Sequence, residues 1–192
     1  QQLTTVGDNV TALEVEGSFD DCQRLVKEAF LDPELSAALP LSSANSINPG
    51  RLLPQAFYYI WGRCRFPRSE PVLFCVPSGN FGNLTAGVYA RQWGLPVERF
   101  LAATNLNDVV PEYLDSGSFR PRASVRTLSN AMDVGNPSNF ERLSTLFGAD
   151  LQAMRAVIEA RRVDDRRTLE TIRSVHAQTG VFLDPHTAVG VL

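Results

Sequence analysis

The 192-residue sequence predicts an α/β chain built on parallel strands, and two stretches carry that expectation. Residues 9–16 (NVTALEVE) alternate as a strand does and run into an amphipathic helical pattern. Residues 72–76 (VLFCV) are apolar on both faces, as a buried parallel strand is, and lead through SGNFGN into a second helix. A strand feeding a helix is half of a βα unit.

Taken in order, Ser18 with Asp21 three residues later predicts a capping box. Cys22, Leu25, Val26, Ala29 and Phe30 then follow helical spacing on one face. Pro33 and Pro40 are expected to close that region. Residues 41–51 (LSSANSINPGR) are polar and turn-rich, a helix is expected over 52–62, and 63–71 reads as a solvated loop. The strand at 72–76 is followed by a helix over 84–93, ended by Gly94 and Pro96, and then by a strand over 100–104. Ser138 with Glu141 predicts another capping box, ahead of a short helix through Phe147. Helices are expected over 150–162 and 166–178, with Gly180 ending the second and EARRVDDRR as the solvated junction between them. The later part of the chain is therefore helix-rich.

Composition narrows the function classes. The chain is 44% hydrophobic and 20% charged, with a net charge of −3 and its arginines scattered, which excludes nucleic acid as a partner. No apolar run approaches the roughly 20 residues of a membrane span. Two histidines and three cysteines without ligand-like spacing give no metal site, and Cys22, Cys64 and Cys75 read as reduced thiols of a cytoplasmic protein. The chain opens on Gln1 and ends on an apolar run without a stop signal, so it reads as an internal fragment of a longer enzyme.

Three loops could carry chemistry. In SGNFGN (78–83), unpaired amides and the dipole of the following helix favour an anion. Gly79 and Gly82 would let backbone approach it, while Asn80 and Asn83 could donate amides or cap the helix. The spacing is neither that of a Walker loop nor G-x-G-x-x-G, which disfavours a dinucleotide. A tight βα turn with no ligand is the plain alternative. In SSANSINPGR, Ser46 and Asn48 precede Arg51, whose guanidinium suits phosphate. An Asx or Ser turn ahead of a helix, with Arg51 on the solvent face, explains the same pattern. In LDPHTAVG (183–190), His186 has no assignable acid partner and reads as structural, and the Thr187 hydroxyl ordinarily serves a structural partner.

Together QLTTVGDNVTALEVEGSFDDCQ, SANSINPGR, VPSGNFGNLTAG, TNLNDVVPEYL, TLSNAMDVGNPSNFERL and LDPHTAVG resemble threonine synthase, of the longer bacterial and fungal type, in the same order and over nearly the whole chain. The resemblance implies the tryptophan-synthase β-like fold (fold type II), a parallel sheet with flanking helices. It implies pyridoxal 5'-phosphate as cofactor and O-phospho-L-homoserine as substrate, converted with water to L-threonine and phosphate. Gly79, Asn80, Phe81, Gly82 and Asn83 would then hold the cofactor phosphate, and Thr187 would face the pyridine nitrogen. Ser46, Asn48 and Arg51 would bind the substrate phosphate, with help from Asn83. Asp133 and Asn136 lie in the most distinctive stretch without an assigned role.

One departure matters. The family forms its Schiff base on a lysine, and the sole lysine here, Lys27, sits off the apolar face of its helix, outside any matching motif. The catalytic lysine is therefore absent from this chain, which is expected to be inactive alone. The implied layout makes 1–39 the tail of a smaller N-terminal α/β domain and 40–192 part of the larger cofactor domain, with 40–51 crossing over. Open edges are then expected to drive self-association. Two alternatives stay open: another fold type II enzyme such as threonine deaminase or cysteine synthase, or a non-catalytic α/β module for a phosphorylated ligand.

Overall fold

The computed structural model describes residues 7–46 and 48–191, in two compact units, residues 1–41 and 42–192. The first residues of QLTTVGDNV, and Leu192, lie outside the described residues.

In the first unit, α1 (Phe19–Leu31) starts on the expected capping box. The Ser18 N–H donates to Asp21 Oδ2 at 2.8 Å, and the Ser18 hydroxyl accepts from the Asp21 N–H at 3.4 Å. Two expectations fail nearby. Residues 9–16 form no strand, because among the described residues they have no ladder partner. Pro33 opens α2 (Pro33–Ala38) instead of closing the region. At the first helical position its missing N–H costs nothing. Asp32 caps the new helix by accepting from Glu34 and Leu35 N–H, both at 2.9 Å.

The second unit is an α/β layer built on a parallel sheet. Its strands are β1 (Leu73–Pro77), β2 (Arg99–Thr104) and β3 (Ile158–Arg162), in the order β1-β2-β3. β2 is central, pairing Val76 with Ala102 on one side and Ala102 with Ala160 on the other. The expected long helix over 150–162 is in fact α7 (Leu151–Val157) followed by β3. A short AVIEA run fits helix and strand periodicity alike, so pairing with β2 decides. EARR is thus strand, not a helix junction. β1 is an edge among the described strands, which leaves Leu73 and Cys75 exposed where burial on both faces was expected.

Around the sheet lie α3 (Pro49–Arg63), α4 (Gly82–Gln92), α5 (Val109–Ser116), α6 (Phe140–Leu146), α8 (Asp165–Thr179) and α9 (Pro185–Val189). α3 starts three residues ahead of expectation, with Pro49 at its first position. α8 ends as expected, at Gly180 with φ 74°. α3 packs on α4, and both meet the sheet through Tyr59, Phe74 and Phe100. The Tyr59 ring stands edge-on to Phe74 and Phe100, with centroids 5.0 and 5.7 Å away. Gly87 makes this approach possible, since a Cβ there would lie 2.6 Å from Tyr59 and 2.7 Å from Phe100.

Arg63 was expected in a solvated loop but is buried at the end of α3. Its guanidinium donates to the carbonyls of Pro96, Phe66, Pro67, Arg68 and Glu70, at 2.9–3.3 Å. It thereby ties the connection into β1 to the one entering β2. Arg63→Ala removes every one of these donors, and the change is expected to cost roughly 1–3 kcal/mol. A urea unfolding midpoint indistinguishable from wild type would show that water replaces the guanidinium at no cost.

Candidate functional site

β1 delivers the glycine-asparagine loop to the C-terminal edge of the sheet, where ligands bind in open α/β folds. The exit is fixed by the Ser78 N–H donating to the Ala103 carbonyl at 2.8 Å, and by the Ser78 hydroxyl donating to the Val76 carbonyl at 2.8 Å. Phe81 then turns the chain through left-handed backbone (φ 61°, ψ 11°) and becomes the residue ahead of α4. A buried aromatic in that region is a local strain of order 1 kcal/mol, of the kind that collects at functional sites. No side chain caps the first turn of α4, and the first backbone bond there runs from Thr85 N–H to the Phe81 carbonyl at 2.9 Å. The amides ahead of it keep no intrahelical acceptor, at the positive end of an eleven-residue helix. A phosphate dianion fits this end, and the backbone of Gly79 to Asn83 would hold it.

The side chains of the loop do something other than expected. Asn80 caps nothing. Its Oδ1 accepts from the Ser138 N–H at 2.7 Å and the Ser138 hydroxyl at 3.0 Å, and its Nδ2 donates to Ser46 Oγ at 2.9 Å. Ser138 is therefore no helix cap, and the predicted capping box with Glu141 does not form. Asn139 precedes α6 instead, with no side-chain cap bond. Asn83 lies within α4, with its Oδ1 accepting from the Tyr59 hydroxyl at 2.8 Å. Gly79 and Gly82 are also required by close packing within the protein. A Cβ at 79 would lie 2.6 Å from the Met132 Cα, and one at 82 would lie 3.0 Å from the Ser46 Cβ.

Ser46 is thereby brought against the loop, a contact between motifs more than thirty residues apart that no local pattern foretells. Asn139, fully buried, donates to Ser46 Oγ and to the Asn80 carbonyl, each at 3.0 Å. Arg142 donates to the Ser46 carbonyl at 2.6 Å and to Asn139 Oδ1 at 2.7 Å. Neither Asn139 nor Arg142 stood out in the sequence, where both read as parts of a helix start. Asn48 caps α3, with its Oδ1 accepting from the Gly50 N–H at 2.9 Å and its Nδ2 donating to the Ser43 carbonyl at 3.0 Å. Arg51 is exposed on the first turn of that helix. Among the described residues, no hydrogen bond or ion pair engages its guanidinium.

Beyond β2 a buried polar network fills the space behind the loop. Asn105 Nδ2 donates to Thr127 Oγ1 at 2.8 Å and to Asp133 Oδ1 at 2.9 Å, and the Thr127 N–H donates to Asp133 Oδ2 at 3.0 Å. Asp133 thus anchors the irregular segment 127–133, whose short 3-10 turn Asn130–Met132 brings the Met132 backbone against Gly79. Asn136 is exposed.

α9 closes the other flank, with Gly190 against Pro77 at the end of β1. His186 Nε2 accepts from the Ala131 N–H at 3.1 Å, so its proton sits on Nδ1 and is donated to Asp184 Oδ1 at 3.0 Å. The acid partner of His186 is thus Asp184, two residues away, and the imidazole is a clamp. The Thr187 hydroxyl also donates to Asp184. That bond first, then the backbone N–H of Thr187 and the His186 contacts, pulls the Asp184 carboxyl down to about 2. A folded value below the unfolded one contributes stability above about pH 4 that is lost as pH falls through about 2. Asp184→Asn is expected to lower the melting temperature at pH 7 and to reduce its fall between those values. An unchanged slope in thermal melts across that range would refute it.

The chain has many relatives. The family model described as "Pyridoxal-phosphate dependent enzyme" matches residues 1–192. Threonine synthase from Serratia marcescens is 47% identical over 187 residues, 96% of this chain and 43% of that protein. The crystal structure of threonine synthase from Escherichia coli superposes with a TM-score of 0.90 at 46% identity, covering 97% of this chain and 44% of that one. A structure of threonine synthase with bound pyridoxal phosphate, from Brucella melitensis, gives 0.85 at 40% identity, covering 97% and 46%. The chain spans less than half the length of these relatives. By a family match that runs its full length, the chain belongs to the pyridoxal-phosphate dependent enzymes, with their fold type II sheet and flanking helices.

Proposed function

We propose that this chain forms the cofactor-phosphate part of a threonine synthase, which converts O-phospho-L-homoserine and water to L-threonine and phosphate. The single observation that carries the reading is the 47% identity to a threonine synthase over 96% of the chain. That identity favours it over threonine deaminase and over a lysine-free module that only binds a ligand.

When bound, pyridoxal phosphate supplies an electron sink for breaking bonds next to the amine-bearing carbon of an amino acid. The chain's own residues bind and orient. The uncapped start of α4, from Gly79 through Asn83, holds the cofactor phosphate, with Phe81 shaping the turn. Thr187, on the flank closed by α9, offers a hydroxyl oxygen to the pyridine ring. Arg51, whose guanidinium has no partner among the described residues, would take the substrate phosphate together with Ser46. Asn48 acts by capping the helix that presents Arg51. The reading places residues 1–39 as the tail of a smaller N-terminal domain and 40–192 in the larger one. A small-molecule substrate needs no nucleic acid or membrane, and among the described residues no helix is long and apolar enough to cross one. The three free thiols fit a cytoplasmic setting.

Lys27 is exposed on α1, not desolvated as a Schiff-base lysine must be. Pyridoxal phosphate is therefore expected to bind this chain without depending on Lys27, so that Lys27→Ala leaves its affinity within about twofold. A loss of about tenfold or more in Lys27→Ala would sink the assignment. Phe57, Tyr58 and Trp61 on α3 are 64–70% exposed, which supports self-association, and the same preparation should elute ahead of a monomer on gel filtration.

In the natural gene product, cofactor-dependent release of phosphate together with threonine is expected. Arg51→Ala should raise the KM for O-phospho-L-homoserine by about tenfold or more, while cofactor affinity stays within about twofold. A fall in cofactor affinity instead would move Arg51 to the other phosphate.

A further inference from the structure

The hydrogen bonds around Ser46 fix more than its position. A serine hydroxyl has one proton and accepts two hydrogen bonds. Both acceptor places on Ser46 Oγ are taken, by Asn80 Nδ2 at 2.9 Å and Asn139 Nδ2 at 3.0 Å. Neither amide can present its oxygen instead. Asn80 Oδ1 faces the Ser138 backbone N–H, which can only donate, and Asn139 Oδ1 faces the Arg142 guanidinium, which can only donate. Two groups with fixed polarity thus hold two amides, and the amides hold the hydroxyl. Its proton goes to the neighbouring Asn45 Oδ1 at 3.1 Å, a long bond between adjacent residues.

We propose that Asn139 is a positioning residue that, with Asn80, makes Ser46 a donor only, so that Ser46 selects a ligand oxygen bearing lone pairs and no proton, the phosphoryl class. Asn45 is then the internal stand-in that yields the proton when such an oxygen arrives. This deepens the reading of Ser46 as part of the substrate-phosphate site and rests on it. A ligand hydroxyl at the same place could accept from Ser46 but would find no acceptor on Ser46 Oγ for its own proton, since both acceptor places are taken by the amides. Gly82 permits the arrangement, since a Cβ there would lie 3.0 Å from the Ser46 Cβ and 3.4 Å from Asn139 Nδ2. Burial makes it rigid, because Asn139 is 0% exposed and an amide turned the wrong way would face an unmatched donor.

The test is inorganic phosphate titrated by calorimetry into the protein saturated with pyridoxal phosphate, so that the cofactor site is already filled. Asn45→Ala removes the competing acceptor and is expected to tighten this second phosphate several-fold, a gain that misfolding cannot imitate. Ser46→Ala and Asn139→Asp are each expected to weaken it by about tenfold. The double variant should lose clearly less than the two single losses combined, since Asn139 acts on the phosphate chiefly through Ser46. Asn139→Asp replaces a donor by an acceptor that captures the Ser46 proton, and a thermal melt of each variant separates this from loss of fold. Additive losses, or an Asn45→Ala protein with unchanged or weaker phosphate binding, would overturn the proposal. So would a wild-type protein that binds pyridoxal phosphate but no second phosphate. Failure to bind pyridoxal phosphate at all would instead strike the cofactor reading.

Discussion

Two backbone hydrogen bonds just past the strand ends hold the second unit's loops in place. Ser78 donates to the Ala103 carbonyl and Val163 to the Thr104 carbonyl, each at 2.8 Å. They extend both parallel ladders beyond the sheet, so three chain segments leave it together. One becomes the glycine-asparagine loop, one enters the Asn105 network, and one turns into α8. In a parallel sheet all strands point the same way, so their exits must share one edge. Everything assembled at that edge depends on β2 being gripped from both sides.

The edge is built in two chemically different halves. Near α4 the backbone is left unsatisfied on purpose, with a strained Phe81 and no cap. Around Ser46, Asn80, Asn139 and Asp133, in contrast, polar atoms are paired with one another to an unusual degree. Among the described residues nothing competes for the amides of the first half, which leaves them open. The second half supplies the stiffness that keeps those amides from relaxing onto a neighbour.

Much of this was legible in the sequence, but unevenly. Local signals worked where the deciding physics is local: the Ser18–Asp21 box, the glycine after α8, the apolar run of β1 and the loop behind it. They failed where a distant partner decides. Residues 158–162 are strand because β2 lies beside them, and residues 9–16 are not strand because no described residue pairs with them. Ser138 carries the letters of a cap but is taken by Asn80, 58 residues away. The glycines of the loop were read as room for a ligand, and their second reason, Met132 and Ser46 lying where a Cβ would stand, has no local signal. Asn139 and Arg142 gave no signal because their partners, Ser46 and Asn80, lie far off in the chain.

Arg63 has a consequence of another kind. Its guanidinium recognises the stretch 66–70 through main-chain oxygens alone, and every side chain of that stretch faces solvent. The fold therefore specifies the path of this loop but not its letters. Sequence can drift there, or be rewritten to carry a dye or an affinity handle, at the end of the sheet away from the glycine-asparagine loop.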